Sequence, residues 1–206
     1  MVDLVLPDLH LRLETDSGVF SPGRVDPGTR VLLETVPAPP RQGNLLDLGC
    51  GYGPIALTMA RRAPGAVVWA VDVNRRAVEL CARNAASAGL DKVRSVHVDE
   101  VPPDVRFAAI WSNPAIRIGK AALHAMLTTW LDRLTPDGTA HLVVQKHLGS
   151  DSLQRWLTGQ GYPTTRVTSR SAYRVLRVAA RGGASPTGPG DASDASDASD
   201  NDETVR

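Results

Sequence analysis

Short apolar runs alternate with longer stretches of helical spacing from residue 44 onward. The apolar runs are β-rich and predict strands at 44–48, 66–71, 93–98, 107–111, 139–144, 164–169 and 172–179. Apolar residues at helical spacing predict helices at 52–62, 75–88, 120–134 and 152–159. The alternation predicts an α/β protein with a mostly parallel seven-stranded sheet, helices on both faces and an antiparallel hairpin at the C-terminal end.

The end of the chain differs in composition from the rest. Residues 182–206 repeat Asp-Ala-Ser three times and contain no Val, Leu or Ile before Val205. Such a segment buries too little apolar surface to offset its chain entropy, so we predict a disordered, acidic, low-complexity tail. Residues 1–181 then form one domain, as expected for a chain of 206 residues.

The acidic tail conceals a positive charge on the rest of the chain. The sequence has 23 basic and 22 acidic residues, a net charge of +1. Six of the acids and one of the bases follow residue 190, which leaves a net charge of +6 on residues 1–190. This charge is compatible with a polyanionic partner, and it is equally compatible with an ordinary solvated surface.

Several classes of protein are disfavoured. No run approaches the roughly 20 apolar residues of a membrane-spanning helix, and residues 1–6 are too short and too acidic for a signal peptide. Cys50 and Cys81 form no CxxC pair, and the five histidines show no metal-ligand spacing. We therefore expect a cytoplasmic protein without a metal or membrane association, and the oligomeric state stays open.

A glycine-rich loop follows the first predicted strand. Its sequence is Asp47-Leu48-Gly49-Cys50-Gly51-Tyr52-Gly53. A dinucleotide fingerprint needs G-x-G-x-x-G, but here the third glycine comes one residue early and Pro54 occupies the required position. The loop instead resembles the first motif of class I methyltransferases. That resemblance implies a Rossmann-like fold, S-adenosyl-L-methionine as cofactor, and cofactor contacts from Asp47, Gly49, Cys50 and Gly51.

Two further acids end predicted strands. Asp72 lies 21 residues beyond Gly51, where a carboxylate can accept hydrogen bonds from both ribose hydroxyls; a helix N-cap is the other interpretation. We also assign Val73, which follows it, to the cofactor site. Asp99 ends the third strand and is a candidate acceptor for the adenine amino group, although a solvated loop acid is nearly as plausible.

The loop after the fourth strand, Ser112-Asn113-Pro114-Ala115-Ile116, resembles the (Asn/Asp)-Pro-Pro-(aromatic or Ile) motif of methyltransferases that act on exocyclic amines. The resemblance implies that Asn113 and Pro114 are catalytic. The Asn113 amide oxygen and the following backbone carbonyl accept hydrogen bonds from the target amine and orient its lone pair. Asn113 is also assigned to the cofactor site.

Together with Gly18-Val19-Phe20-Ser21 and Asp26-Pro27-Gly28-Thr29, residues 9–180 resemble the small-ribosomal-subunit methyltransferase C family, which forms N2-methylguanine in ribosomal RNA. The resemblance implies that Phe20 and Asp26 close over cofactor and substrate. Ala115 departs from the family's second proline, and Ile116 stands where many members have an aromatic residue. We assign Ala115 and Ile116 to the substrate site, and Arg117 and Lys120 to phosphates beside the target base.

The resulting hypothesis is a methyltransferase that acts on the exocyclic amine of guanine in ribosomal RNA, with ribosomal RNA or the small subunit as its partner. A second hypothesis keeps the cofactor and changes the acceptor to a small molecule or a protein amide. A third, suggested by Ala115, is a cofactor-binding RNA-associated module with impaired catalysis.

Overall fold

The computed structural model describes residues 1–182, except for the side chain of Arg117. The predicted tail lies outside this range apart from Gly182. The strands are β1 Val2–Leu6, β2 Leu9–Leu13, β3 Asn44–Leu48, β4 Val67–Asp72, β5 Val93–His97, β6 Phe107–Ser112, β7 Leu134–Gln145, β8 Thr164–Arg170 and β9 Tyr173–Ala179. The α-helices are α1 Pro27–Thr35, α2 Pro54–Arg62, α3 Arg75–Ser87, α4 Lys120–Leu131 and α5 Ser150–Gly159.

Seven of these strands form one sheet in the order β5-β4-β3-β6-β7-β9-β8. The first five strands in this order run parallel, whereas β9 is antiparallel to both of its neighbours. The predicted α/β fold, with a mostly parallel sheet of seven strands and an antiparallel C-terminal hairpin, is therefore confirmed.

Helices cover both faces of the sheet, as predicted. Apolar side chains of α1, α2 and α3 pack in one core, and those of α4 and α5 pack in a second core on the opposite face. With both faces covered, the strand ends are the part of the sheet where a ligand can reach the backbone.

The strand order changes direction at β3. β4 and β5 lie on one side of β3, whereas β6 and all later strands of the sheet lie on the other. The connection that leaves β3 therefore runs toward β4, and the connection that leaves β6 runs the opposite way, toward β7. In open α/β sheets, ligands bind in the crevice that opens at this point, outside the carboxyl ends of the strands.

The N-terminal region contains elements that the sequence analysis did not assign. β1 and β2 pair as a two-stranded antiparallel hairpin, and their alternate residues, Leu4 and Leu11 among them, are buried in the first core. Helix α1 begins with Pro27 in its first turn, and the side chain of Asp26 caps it.

Three predicted helix boundaries are wrong by two residues or more. The helix predicted at 152–159 begins earlier, at Ser150. The helix predicted at 120–134 ends at Leu131, and Leu134 instead begins β7, where it pairs with Phe107 of β6. The Phe107 amide donates to the carbonyl of Arg133 at 2.8 Å, so pairing with β6 ends the helix there. The helix predicted at 52–62 begins at Pro54, because Gly53 has a left-handed conformation.

Candidate active site

A cavity of about 790 Å³ lies at the carboxyl ends of β3, β4, β6 and β7. Its walls combine the glycine-rich loop, the loop after β6 and part of the N-terminal segment. Among the residues predicted for the site, the lining includes Phe20, Asp26, Gly49, Cys50, Gly51, Asp72, Val73, Asn113, Pro114, Ala115 and Ile116. The fold thus brings most of the predicted cofactor and substrate residues into one cavity.

The glycines of the loop have different structural roles. Gly49 and Gly51 have φ angles of +80° and +55°, and a Cβ atom on either would meet no other atom within 4 Å. Gly53 also has a positive φ, but a Cβ there would lie 2.7 Å from the Cys81 Sγ atom. Gly49 and Gly51 therefore leave backbone open to the cavity, whereas Gly53 allows α2 to pack closely on α3.

Asp72 joins the glycine-rich loop to the end of β4. Its Oδ2 accepts a hydrogen bond from the Gly51 amide at 2.9 Å, and its Oδ1 accepts one from the Asn74 amide at 2.9 Å. Each carboxylate oxygen keeps further acceptor capacity, because an ionised carboxylate has about four acceptor positions. The arrangement is compatible with the predicted bonds to two ribose hydroxyls.

Asp47 lies beneath the loop rather than in the wall of the cavity. It is fully buried, and its Oδ2 accepts a hydrogen bond from the Ala56 amide of α2 at 2.8 Å. Burial is the main cause that raises the pKa of Asp47 to about 8, and the nearby Asp72 carboxylate adds to it. Asp47 therefore holds α2 against β3, and its predicted contact with the cofactor stays a prediction.

Asp99 is also outside the lining of the cavity. Its side chain is 84% exposed and lies 3.3 Å from the Nδ1 atom of His97, whereas the neighbouring Val98 lines the cavity. The assignment of Asp99 to the adenine amino group stays a prediction.

The amide of Asn113 has a fixed orientation. Its Nδ2 atom donates to Asp26 Oδ2 at 2.8 Å and to Thr29 Oγ1 at 3.0 Å. An ionised carboxylate only accepts hydrogen bonds, so Asp26 requires the NH2 end of the amide to face it. The Asn113 Oδ1 atom is left without a donor among residues 1–182, and it is available to a ligand in the cavity.

Asp26 has a second role at the start of α1. Its Oδ2 also accepts a hydrogen bond from the Thr29 amide at 3.0 Å, which caps the helix. The same carboxylate oxygen therefore joins the α1 terminus to Asn113. The sequence analysis did not assign Thr29 to the site, although Thr29 belongs to the Asp26-Pro27-Gly28-Thr29 segment that contributes to the family resemblance.

The N-terminal segment crosses the edge of the cavity and is tied to α3. Asn74 caps α3 through the Arg76 amide, and its Nδ2 atom donates to the carbonyl of Gly18 at 3.0 Å. Arg76 also pairs with Asp16, its Nε donating at 2.9 Å. Phe20, which follows this attachment, is 66% exposed and lies at the mouth of the cavity.

The loop after β6 continues into a short 3-10 turn at Ile116–Ile118, which includes the backbone of Arg117. Ile116 also borders a smaller cavity of about 260 Å³ that Lys120 lines. Lys120 is thus beside the substrate loop rather than in the main cavity. The phosphate roles of Arg117 and Lys120 stay predictions.

Gln145 and Tyr173 line the cavity as well, and the sequence analysis assigned neither to the site. Gln145 ends β7 and Tyr173 begins β9. The polar Gln145 after a buried strand was a signal for a position at the ligand edge of the sheet. Tyr173 had no such signal, because its strand reaches this edge only through the antiparallel pairing.

No metal centre is found in the described part of the chain, where His, Cys, Asp and Glu form no group able to hold an ion. None of the helices within residues 1–182 is long and apolar enough to cross a membrane.

Comparison with known families shows what kind of domain carries this cavity. Residues 10–177 match the family model of the methyltransferase small domain. The chain belongs to this family. It is therefore an S-adenosylmethionine-dependent methyltransferase, as its glycine-rich loop predicted.

Individual relatives of this methyltransferase small domain are similar to the chain over most of its length. The uncharacterized protein YbxB of Bacillus subtilis is 40% identical over 166 residues, which cover 79% of this chain and 83% of that protein. The ribosomal RNA small subunit methyltransferase C of Aeromonas hydrophila is 36% identical over 147 residues, covering 68% of this chain and 42% of that protein.

Among solved structures, the 16S rRNA guanine-N2 methyltransferase of Thermus thermophilus, in complex with AdoMet and guanosine, superposes with a TM-score of 0.75 at 27% identity. The match covers 87% of this chain and 50% of that chain. The chain thus spans about half the length of the relatives named as ribosomal RNA methyltransferases.

The residues of the cavity fit S-adenosylmethionine. Gly49 and Gly51 leave open space beside the backbone, and Asp72 presents carboxylate oxygens to the same cavity. The volume of about 790 Å³ is within the range of sites for cofactor-sized ligands. These residues would hold the adenosine part of the cofactor, and Asn113 lies at the next strand of the sheet.

Proposed function

We propose that this methyltransferase modifies the exocyclic N2 amine of guanine in ribosomal RNA. The observation that carries the proposal is the orientation of Asn113. Because its NH2 end is bound by Asp26 and Thr29, its Oδ1 atom can only serve as an acceptor for a ligand N–H.

The chain's own residues act by positioning. Asn113 Oδ1 and the Pro114 carbonyl accept the two N–H groups of the amine, which directs the nitrogen lone pair toward the cofactor side of the cavity. When bound, S-adenosylmethionine supplies an electrophilic methyl group on its sulfonium. No strong base is required of the protein, because the methylated amine can lose its proton to water.

The acceptor class is supported by two further observations. Relatives that share the domain are named as ribosomal RNA methyltransferases. Arg24, Lys120 and Lys146 adjoin chain segments that line the cavity. They form no ion pair with any residue from 1 to 182, so their charges are available to phosphates.

Asn113→Ala tests the proposal. We expect transfer of labelled methyl groups to ribosomal RNA in isolated small subunits to fall by about 100-fold or more, because the amine is no longer oriented. Affinity for S-adenosylmethionine, measured by calorimetry, should fall far less than the transfer rate.

Asn44→Ala is the matched control, because Asn44 lies at the opposite end of the sheet, where it binds Trp69 and the carbonyl of Arg106. Its transfer activity should match that of the wild type. A wild-type protein that binds the cofactor and labels no RNA would refute the proposal.

A small molecule or protein amide is the second candidate acceptor. It is favoured by the short length of the chain relative to the named RNA methyltransferases. Turnover on a metabolite or protein panel, together with no label on ribosomal RNA, would establish it.

A further inference from the structure

Gln145 and Tyr173 form a polar pair in the cavity that neither the cofactor nor the amine requires. The Gln145 Nε2 atom donates to the Tyr173 hydroxyl at 3.0 Å, and the two residues face each other in the register of β7 and β9. Both are partly buried and line the same cavity as Asn113.

The order of the strands places this pair on the substrate side of Asn113. Along the edge of the sheet, Asp72 ends β4, the glycine-rich loop follows β3, Asn113 follows β6, Gln145 ends β7 and Tyr173 begins β9. A cofactor held by the glycine-rich loop and Asp72 would present its methyl group from the β3 and β4 side, and the rest of the base would then extend toward β7 and β9. Neighbouring strands are about 4.8 Å apart, comparable to the polar edge of a nucleobase.

Close packing fixes Tyr173 relative to Asn113. A Cβ atom on Gly28 would lie 2.6 Å from Tyr173 Cε1 and 2.9 Å from Asp26 Oδ2. Only glycine therefore allows the Tyr173 ring to contact the start of α1, the same helix terminus that orients Asn113. Tyr173 and Asn113 therefore both contact the start of α1.

The pair presents at least one donor and one acceptor to a ligand. The Tyr173 hydroxyl accepts from Gln145 and keeps its own O–H to donate, while Gln145 Oε1 has no donor among the described residues. If the amide is reversed, Tyr173 donates to Gln145, and the free Nε2 and the tyrosine oxygen take the opposite roles. Either orientation leaves at least one donor and one acceptor, and the Gln145 amide keeps an additional N–H donor.

Among the bases with an exocyclic amine, only guanine offers a donor to the free acceptor of the pair. When its amine is held by Asn113, guanine has an N1–H donor and an O6 acceptor left on the same edge. Adenine and cytosine, held by their amines, have only acceptor atoms left on that edge. We infer that Gln145 and Tyr173 bind N1–H and O6 of guanine and so determine the base specificity, an inference that rests on the proposed function.

Tyr173→Phe tests this inference, because it removes one oxygen and keeps the ring that packs on Gly28. The probes are guanosine and 2-aminopurine riboside, measured by calorimetry with S-adenosylhomocysteine present. 2-Aminopurine keeps the amine but lacks both O6 and N1–H. We expect the wild type to prefer guanosine about tenfold or more, and Tyr173→Phe to bring the two affinities within about threefold, as for the loss of one buried hydrogen bond.

Transfer to ribosomal RNA provides a second measurement. Tyr173→Phe and Gln145→Met should each lower kcat/KM by about tenfold or more while leaving S-adenosylmethionine affinity unchanged. Tyr162→Phe is the matched control, because the Tyr162 hydroxyl binds Asp132 away from the cavity. It should leave both the guanosine preference and the transfer rate as in the wild type.

The two proposals fail in different ways. An unchanged guanosine preference and an unchanged transfer rate in Tyr173→Phe would overturn the role of the pair while guanine methylation stands. Absence of any guanine methylation by the wild type would overturn the proposed function, and this inference with it. If neither nucleoside binds the wild type, the transfer rate alone decides between the variants.

Discussion

At the scale of single residues, Asp26 combines two tasks that are usually separate. One carboxylate oxygen caps helix α1 through the Thr29 amide and also binds the Asn113 side chain. Capping stabilises the helix, whereas the bond to Asn113 selects which end of that amide faces the cavity. The two effects can be separated by side-chain length.

Asp26→Ser keeps a capping oxygen but is too short to reach Asn113, and Asp26→Ala removes both contacts. We expect Asp26→Ala to lower the free energy of unfolding by about 1 kcal/mol and Asp26→Ser by much less. Methyl transfer should fall about 10- to 100-fold in both variants, because the Asn113 amide can then rotate. Urea unfolding and transfer assays measure the two effects. Wild-type transfer in Asp26→Ser would contradict the orienting role.

Placement in the cavity follows from the sequence for some residues and not for others. Asp72 and Asn113 line the cavity because they come at the carboxyl ends of parallel strands, which a sequence pattern can locate. Asp47 also belongs to such a strand, but its side chain lies on the face that α2 covers. Whether such a side chain reaches the cavity depends on which face of the strand a helix covers. No local pattern specifies that face.

At the scale of elements, the loop after β6 keeps its shape without the second proline. Ala115 has a φ of −69°, close to the angle that a proline ring imposes. Its amide makes no hydrogen bond within residues 1–182, so a ring there would displace no partner. The conformation therefore gives no support to the hypothesis that Ala115 impairs catalysis.

Ala115→Pro should accordingly be tolerated. We expect the free energy of unfolding to rise by about 0.4–1 kcal/mol, because the unfolded chain loses conformational freedom. The transfer rate should stay within about threefold of wild type. Denaturant unfolding and single-turnover transfer check both values. A large gain in rate would instead show that the natural loop is impaired.

At the scale of the whole molecule, two ionisable side chains, Asp47 and His141, are buried on the face of the sheet that α1, α2 and α3 cover. Asp47 of β3 pairs in register with Trp111 of β6, and Trp111 pairs with His141 of β7. The His141 ring lies edge-on to Trp111 and is almost fully buried. Burial and the nearby Arg177 lower the pKa of His141 to about 4.

This shift makes the fold sensitive to acid. The unfolded chain binds a proton at His141 near pH 6.5, whereas the folded protein does so only near pH 4. The contribution of neutral His141 to the free energy of unfolding is therefore fully present above pH 6.5 and is lost as the pH falls toward 4. The shift corresponds to about 3 kcal/mol. In His141→Leu that loss should be absent, as measured by urea unfolding at several pH values. An identical pH profile in both proteins would contradict the shift. Asp47 titrates in both proteins and cancels in the comparison.

The sequence by itself determined the α/β fold, the cofactor and the two loops that line the candidate site, because these depend on local periodicity and on contiguous motifs. Tertiary structure decided the rest of the site. Three lining residues come from α1, β7 and β9, namely Thr29, Gln145 and Tyr173. These elements are distant from Asn113 in the sequence and come close to it only when the chain folds. Which end of the Asn113 amide is free also depends on a contact across 87 residues, and no local pattern encodes a contact at that separation.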